Sequence, residues 1–122
     1  MVLGVGTDII EIDRIKKVFK NRNDRITQKI FTPVEIEYSF SFKDPYTHLA
    51  VRFAAKEAYY KALGEGVLFF NEIEVVNNGS GKPSLKLYGR TEELWKSRGS
   101  PTIHLSLSHI NLLGCATVVL DR

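Results

Sequence analysis

The sequence predicts an α+β domain in which a mainly antiparallel sheet packs against one long helix. Three observations carry that expectation. YTHLAVRFAAKEAYYKAL has helical spacing with no breaker inside it and stops at Gly64, so it forms the longest helix of the chain. Two runs of β-type composition flank NNGSGK, whose asparagines and glycines suit a hairpin turn. Two further runs, TIHLSLSH and CATVVL, close the chain around a turn near Asn111 and Gly114. Strands joined by short turns pair antiparallel, and a helix covers their apolar face.

Along the chain, VLGVGTDII has strand composition, and IIEIDRIKKVFK then changes to helical spacing. Ile12, Ile15 and Phe19 fall on one side of that helix, with Arg14, Lys16 and Lys17 on the other. FTPVEIEYSFS predicts a short helix with Thr32 as N-cap, Pro33 at the first position and Glu35 at the third, the pattern of a capping box. Pro45 interrupts the chain before the long helix. VLFFNEIEVV and PSLKLYG form the hairpin strands, and residues 91–97 a short helix.

With 122 residues, 43% of them hydrophobic and 25% charged, the chain suits one domain over residues 1–122. It has no apolar run long enough for a bilayer and no leader pattern, which points to a cytoplasmic protein without a membrane partner. The single cysteine, Cys115, lies in an apolar run and is expected in the core. The formal charge of +3 is uneven. Residues 13–29 hold Arg14, Lys16, Lys17, Lys20, Arg22, Arg25 and Lys29 against Asp13 and Asp24, a net +5, which leaves −2 elsewhere. Such asymmetry favours an acidic partner docking on one region. Phe19 is the only aromatic side chain there, which disfavours a platform for single-stranded nucleic acid.

Strand alternation puts Gly4, Gly6 and Asp8 on one face, leaving space around the carboxylate. Asp8 has a simpler reading as a cap for the following helix, with Glu11 three residues on. On the long helix, Phe53, Glu57 and Lys61 share a face with Ala50, Ala54 and Ala58 near by. That face should pack, so these charges need partners in a polar pocket. Asp8 with Glu57 would suffice for Mg²⁺, which takes one or two carboxylates and fills its remaining positions with water and phosphate oxygens. Lys61 would then face a phosphate, with Arg52 and Lys56 adding to the field; a plain salt bridge is the alternative. On the late strand, His104, Ser106 and Ser108 lie on one face and His109 at the end. No G-x-S-x-G elbow surrounds either serine, and the histidines lack zinc spacing.

VGTDIIEIDRI, FTPVEIEY, RFAAKEAYYKALGEG, GKP and LSLSH occur in the order found in the short phosphopantetheinyl transferases, the holo-acyl-carrier-protein synthase family, which the chain resembles over almost its whole length. The resemblance implies a phosphopantetheinyl transferase-like fold. It also implies transfer of the 4′-phosphopantetheine arm of coenzyme A to a serine of an acyl carrier protein, with release of 3′,5′-ADP, in fatty acid biosynthesis. By motif, Asp8 and Glu57 would hold Mg²⁺ and Lys61 would meet the leaving phosphate. His109, Ser108 and Arg52 would hold the nucleotide end of coenzyme A. The family implies a homotrimer with sites between subunits, and an acidic carrier would dock on Arg14 and Lys17. Ile110 and Glu65 stand where the family often has threonine, and an acidic Glu65 near phosphates is unfavourable unless it points away. A noncatalytic module for an acidic protein and a Mg²⁺-dependent phosphodiesterase are the competing readings.

Overall fold

The computed structural model describes residues 1–66 and 69–122. The elements run β1 (Val2–Glu11), α1 (Ile12–Val18), α2 (Arg25–Ile30), α3 (Pro33–Phe40), α4 (Tyr46–Leu63), a 3-10 turn (Phe70–Glu72), β2 (Ile73–Asn77), β3 (Pro83–Leu87), α5 (Gly89–Ser97), β4 (Thr102–His109) and β5 (Leu113–Asp121). Every strand pair is antiparallel, but the strands form two sheets: β1-β5-β4, with β5 central, and the hairpin β2-β3. The first and last strands of the sequence are thus direct neighbours, with Asp8 opposite Ala116.

Helix α4 matches its predicted span and lies across the three-stranded sheet. It ends because Gly64 takes a left-handed conformation (φ 82°) that folds the chain back, with its N–H donating to the Lys61 carbonyl. Ala54, Ala55 and Ala58 are fully buried against Val118 and Leu120 of β5 and against Ile73 and Val75 of β2. A second cluster joins Ile12, Ile15 and Phe19 of the α1 region to Phe31, Ile36 and Leu49.

The glycines of β1 do not leave open space around Asp8, as the alternation alone suggested. A Cβ on Gly6 would lie 1.9 Å from the Ala58 carbonyl oxygen, and one on Gly4 2.0 Å from that of Ala62. The room is filled by the helix backbone itself, and this close approach brings Asp8 to α4. Gly6→Ala must therefore push helix and strand apart, and should destabilise the fold by about 3 kcal/mol, the upper end for overpacking. An unchanged urea midpoint would show that the contact has slack.

The capping box of α3 is present: Thr32 Oγ1 accepts from Glu35 N at 3.3 Å, and Thr32 N donates to Glu35 Oε1 at 3.0 Å. Other details differ from expectation. Helix α2 was not anticipated; it is a six-residue segment within the basic run, anchored by the fully buried Thr27, whose hydroxyl donates to the Asn21 carbonyl. Part of the VLFFNEIEVV strand, Val67 and Leu68, lies outside the described residues. Its middle is the 3-10 turn, and pairing begins only at Ile73. Cys115 is half-buried, because β5 alternation turns it away from the fully enclosed Ala116 and Val118.

Candidate functional site

Asp8 does not cap α1. Glu11 occupies the N-cap position and no side chain caps there. Instead the Asp8 carboxylate accepts from Lys61 Nζ at 3.1 Å, and the same ammonium donates to the Thr7 carbonyl at 3.1 Å. The ion pair is open on the lysine side, with 52% of the Lys61 side chain exposed against 13% for Asp8, so its worth to stability is small. Glu57, one turn before Lys61, flanks the alanine stripe rather than pointing into it, and is half-buried. Burial first, and then the negative charge of Asp8, raise its pKa above the usual carboxylate value; Lys61 partly offsets them.

Two neighbouring carboxylates, one of them held above its ordinary pKa by burial and by the charge of the other, favour a cation. Among the described residues no group of three or more His, Cys, Asp or Glu side chains gathers, so the donor set is not that of an all-protein cage. A pair of hard oxygen ligands with an open side fits Mg²⁺, which keeps water and substrate phosphate oxygens in its shell.

Lys56 does not add to a phosphate field. It is fully buried, donating to Glu35 Oε1 at 2.7 Å, to the Phe70 carbonyl at 3.0 Å and to the Ile73 carbonyl. On α4 it points away from Lys61, into the join between α3 and β2.

Arg52 lines a different feature, a cleft of about 420 Å³ walled by Tyr38, His48, Asn77, Lys82 and His109. Its guanidinium is stacked 4.3 Å from the centre of the Tyr38 ring and donates to Asn77 Oδ1 at 2.7 Å and to the His48 carbonyl at 3.2 Å. Its Nε is buried without a hydrogen-bond partner among the described residues, and burial lowers the arginine's pKa from its ordinary value. His109 lines this cleft with Arg52, but Ser108 does not. The neighbouring Ser106 and Leu107 do. Sequence reading missed Tyr38, His48 and Asn77 as part of this site; only Lys82, inside the GKP motif, carried a signal. Glu65 is paired with Arg98 at 2.7 Å, and Arg98 also donates to the Leu63 carbonyl.

At about 100° per residue, Arg52 and Lys61 stand on opposite sides of α4. The chain therefore carries two separate polar groups, Asp8–Glu57–Lys61 and Arg52–His109. On α1, Arg14 and Lys17 are exposed while Ile12 and Ile15 are buried, as the amphipathic pattern predicted. Beside them Asp13, Lys16, Lys17, Lys20 and Tyr46 frame a further open cleft.

The sequence profile of the 4′-phosphopantetheinyl transferase superfamily matches residues 4–107. A holo-[acyl-carrier-protein] synthase of Geobacter sp. (strain M21) is 48% identical over 125 aligned residues, with both chains covered in full. The chain belongs to the holo-[acyl-carrier-protein] synthase family. Membership makes it a phosphopantetheinyl transferase. The α+β expectation holds against solved structures of the family. The synthase of Neisseria meningitidis superposes with a TM-score of 0.86 at 32% identity, each chain covered in full. That of Bacillus anthracis str. Ames, solved in complex with CoA (3′,5′-ADP), gives 0.82 at 35% identity, covering 100% of this chain and 98% of the other. Among the described residues no helix is long and apolar enough to cross a membrane.

Proposed function

We propose that this protein transfers the 4′-phosphopantetheine arm of coenzyme A to a serine of apo-acyl carrier protein, releasing 3′,5′-ADP, with Mg²⁺, in the cytoplasmic synthesis of fatty acids. The observation that carries the reading is the meeting of Asp8 with Lys61 at 3.1 Å, beside Glu57, from two elements far apart in sequence. Asp8 and Glu57 hold the cation. When bound, it supplies charge neutralisation on the diphosphate of coenzyme A. Lys61, whose ammonium is half in solvent, donates to the phosphate that leaves as the serine oxygen bonds to the other phosphorus. Arg52 and His109 bind the nucleotide end, and Ser108 contributes at most from the adjoining strand end.

Arg52 and Lys61 stand on opposite sides of one copy of α4, and we infer that the two groups combine between copies. The outer face of the three-stranded sheet supports that assembly, since Leu3, Val5 and Ile9 of β1 are 41%, 59% and 64% exposed, an apolar surface that favours burial. We assign a homotrimer. Mixing inactive Asp8→Ala chains with inactive Arg52→Ala chains, after exchange of subunits, should restore part of the activity. No recovery despite demonstrated exchange would place both groups in one copy's site.

Exposed Arg14 and Lys17 attract the acidic carrier. Reversing both charges should slow carrier association about tenfold at low salt and flatten its dependence on ionic strength, with coenzyme A binding unchanged. Equal association kinetics would remove that helix from the docking surface. The deciding assay combines protein, coenzyme A, Mg²⁺ and apo-carrier, with the carrier weighed by mass spectrometry. Gain of the arm supports transfer. Cleavage of coenzyme A with unmodified carrier favours a phosphodiesterase, and neither event favours a binding module.

A further inference from the structure

His48 occupies a place in the Arg52 cleft that the transfer reaction does not use. It sits on the first turn of α4, and its imidazole is stacked on Phe42 with ring centres 3.9 Å apart and an angle of 22°. Its edge meets the Tyr38 ring at 5.7 Å and 88°. Among the described residues its contacts are aromatic, and it is the His48 carbonyl, not the ring, that accepts from Arg52. The ring nevertheless lines the cleft together with Arg52, Lys82 and His109.

Every element around the ring can be named. Helix α3 presents Tyr38, the segment before α4 presents Asp44, α4 itself presents Arg52, the β2-β3 turn presents Lys82 and β4 presents His109. Cationic groups outnumber the single carboxylate. Burial, then Arg52, then His109 lower the His48 pKa from its ordinary value, with Asp44 opposing them. The imidazole is therefore neutral at neutral pH in the free protein, held so by its burial and by nearby cations that Asp44 only partly offsets.

A phosphate dianion entering the cleft reverses that balance. It adds opposite charge beside Arg52, Lys82 and His109, and so cancels the repulsion that keeps the ring neutral. We propose that His48 takes up a proton when a phosphate dianion occupies this cleft, coupling affinity for the nucleotide end of coenzyme A to pH. The inference rests on the reading of the cleft as that nucleotide's seat, and makes His48 a positioning residue whose charge is conditional on the ligand. The sign follows from linkage. A group that is more readily protonated in the complex strengthens binding as pH falls through its bound-state pKa, and stops doing so below its free-state pKa. One linked proton changes affinity by at most about tenfold per pH unit. Below about pH 6 the ligand phosphate itself gains a proton and the effect fades.

The test is calorimetric titration of 3′,5′-ADP into the wild type, His48→Phe and His48→Gln between pH 6.5 and 8, each in two buffers of different ionisation enthalpy. His48→Phe keeps the stacking on Phe42, and thermal melts of both variants establish that they are folded. Wild-type protein is expected to take up a substantial fraction of a proton on binding and to bind about fivefold more tightly at the acid end, with both variants losing most of that dependence. Equal proton uptake in wild type and both variants overturns the inference and assigns the proton to His109 or the ligand. Absence of 3′,5′-ADP binding to any of the three proteins overturns the nucleotide reading beneath it. Binding to all three without proton uptake overturns the inference alone.

Discussion

Replacing Glu57 by Gln is expected to reduce carrier modification by about 10²–10³-fold, the scale on which loss of one preorganised electrostatic group lowers turnover. Asp8→Asn should cost as much, because on the proposed reading each removes one of the two anionic oxygen donors that would hold the divalent ion. The two losses should not add, since a cation site that has lost one carboxylate has little left for the second substitution to remove. The Glu57 change has a second consequence of opposite direction. Burial and Asp8 raise the Glu57 pKa in the folded protein, so ionising this group costs the fold stability. A carboxylate with a raised folded-state pKa makes the protein less stable as pH rises from its unfolded value through its folded one. Without metal, Glu57→Gln should therefore melt above the wild type at pH 7 to 8, and the difference should vanish near pH 4. With Mg²⁺ present the wild type should gain stability that the variant does not. Wild-type turnover in either variant would remove the metal assignment, and a lower melting temperature for Glu57→Gln at pH 8 without metal would refute the electrostatic account of this pair.

Lys56→Met is expected to destabilise the fold by about 3–5 kcal/mol, the cost of stranding one member of a buried ion pair. Glu35 is the reason. Its carboxylate is fully enclosed and receives Thr32 N at 3.0 Å, Val75 N at 2.8 Å and Lys56 Nζ at 2.7 Å. One side chain thus closes the start of α3, fixes the edge of β2 and pairs with the middle of α4. Lys56 in turn donates to the Phe70 and Ile73 carbonyls, at the 3-10 turn and the start of β2, and so ties both to the middle of α4. Burial lowers the Lys56 pKa and the neighbouring Glu35 charge opposes that shift, so the pair survives only as a unit. Glu35→Gln with Lys56→Met should recover part of the loss, since neither an unpaired anion nor an unpaired cation remains. Urea denaturation of the two single variants and the double variant measures the coupling. Additive losses, or a Lys56→Met cost under about 1 kcal/mol, would mean that water or a neighbouring group already satisfies Glu35.

The order of elements was largely legible because local signals decide it. The capping box at Thr32 and Glu35, the left-handed Gly64 and the alternation of TIHLSLSH each depend on a few neighbouring residues, and each element lies where those residues put it. Helix α2 and the 3-10 turn at Phe70 were not legible, because short segments carry too few periods of hydrophobic spacing to distinguish them from loop.

For the candidate site the division is sharper. Sequence alone determined that Glu57 and Lys61 lie one turn apart, that Asp8 follows two glycines on a strand, and that Arg14 and Lys17 face away from Ile12 and Ile15. Periodicity places residues on faces, but it does not say which face meets which. Only the tertiary structure decided that Gly4 and Gly6 admit the backbone of α4 rather than a ligand, that Lys56 is sealed against Glu35 while Lys61 reaches Asp8, and that Arg52 belongs with His48 and His109 on the far side of the helix. The physical reason is that a charged side chain takes its role from the partner that desolvates or neutralises it, and those partners come from elements distant in sequence.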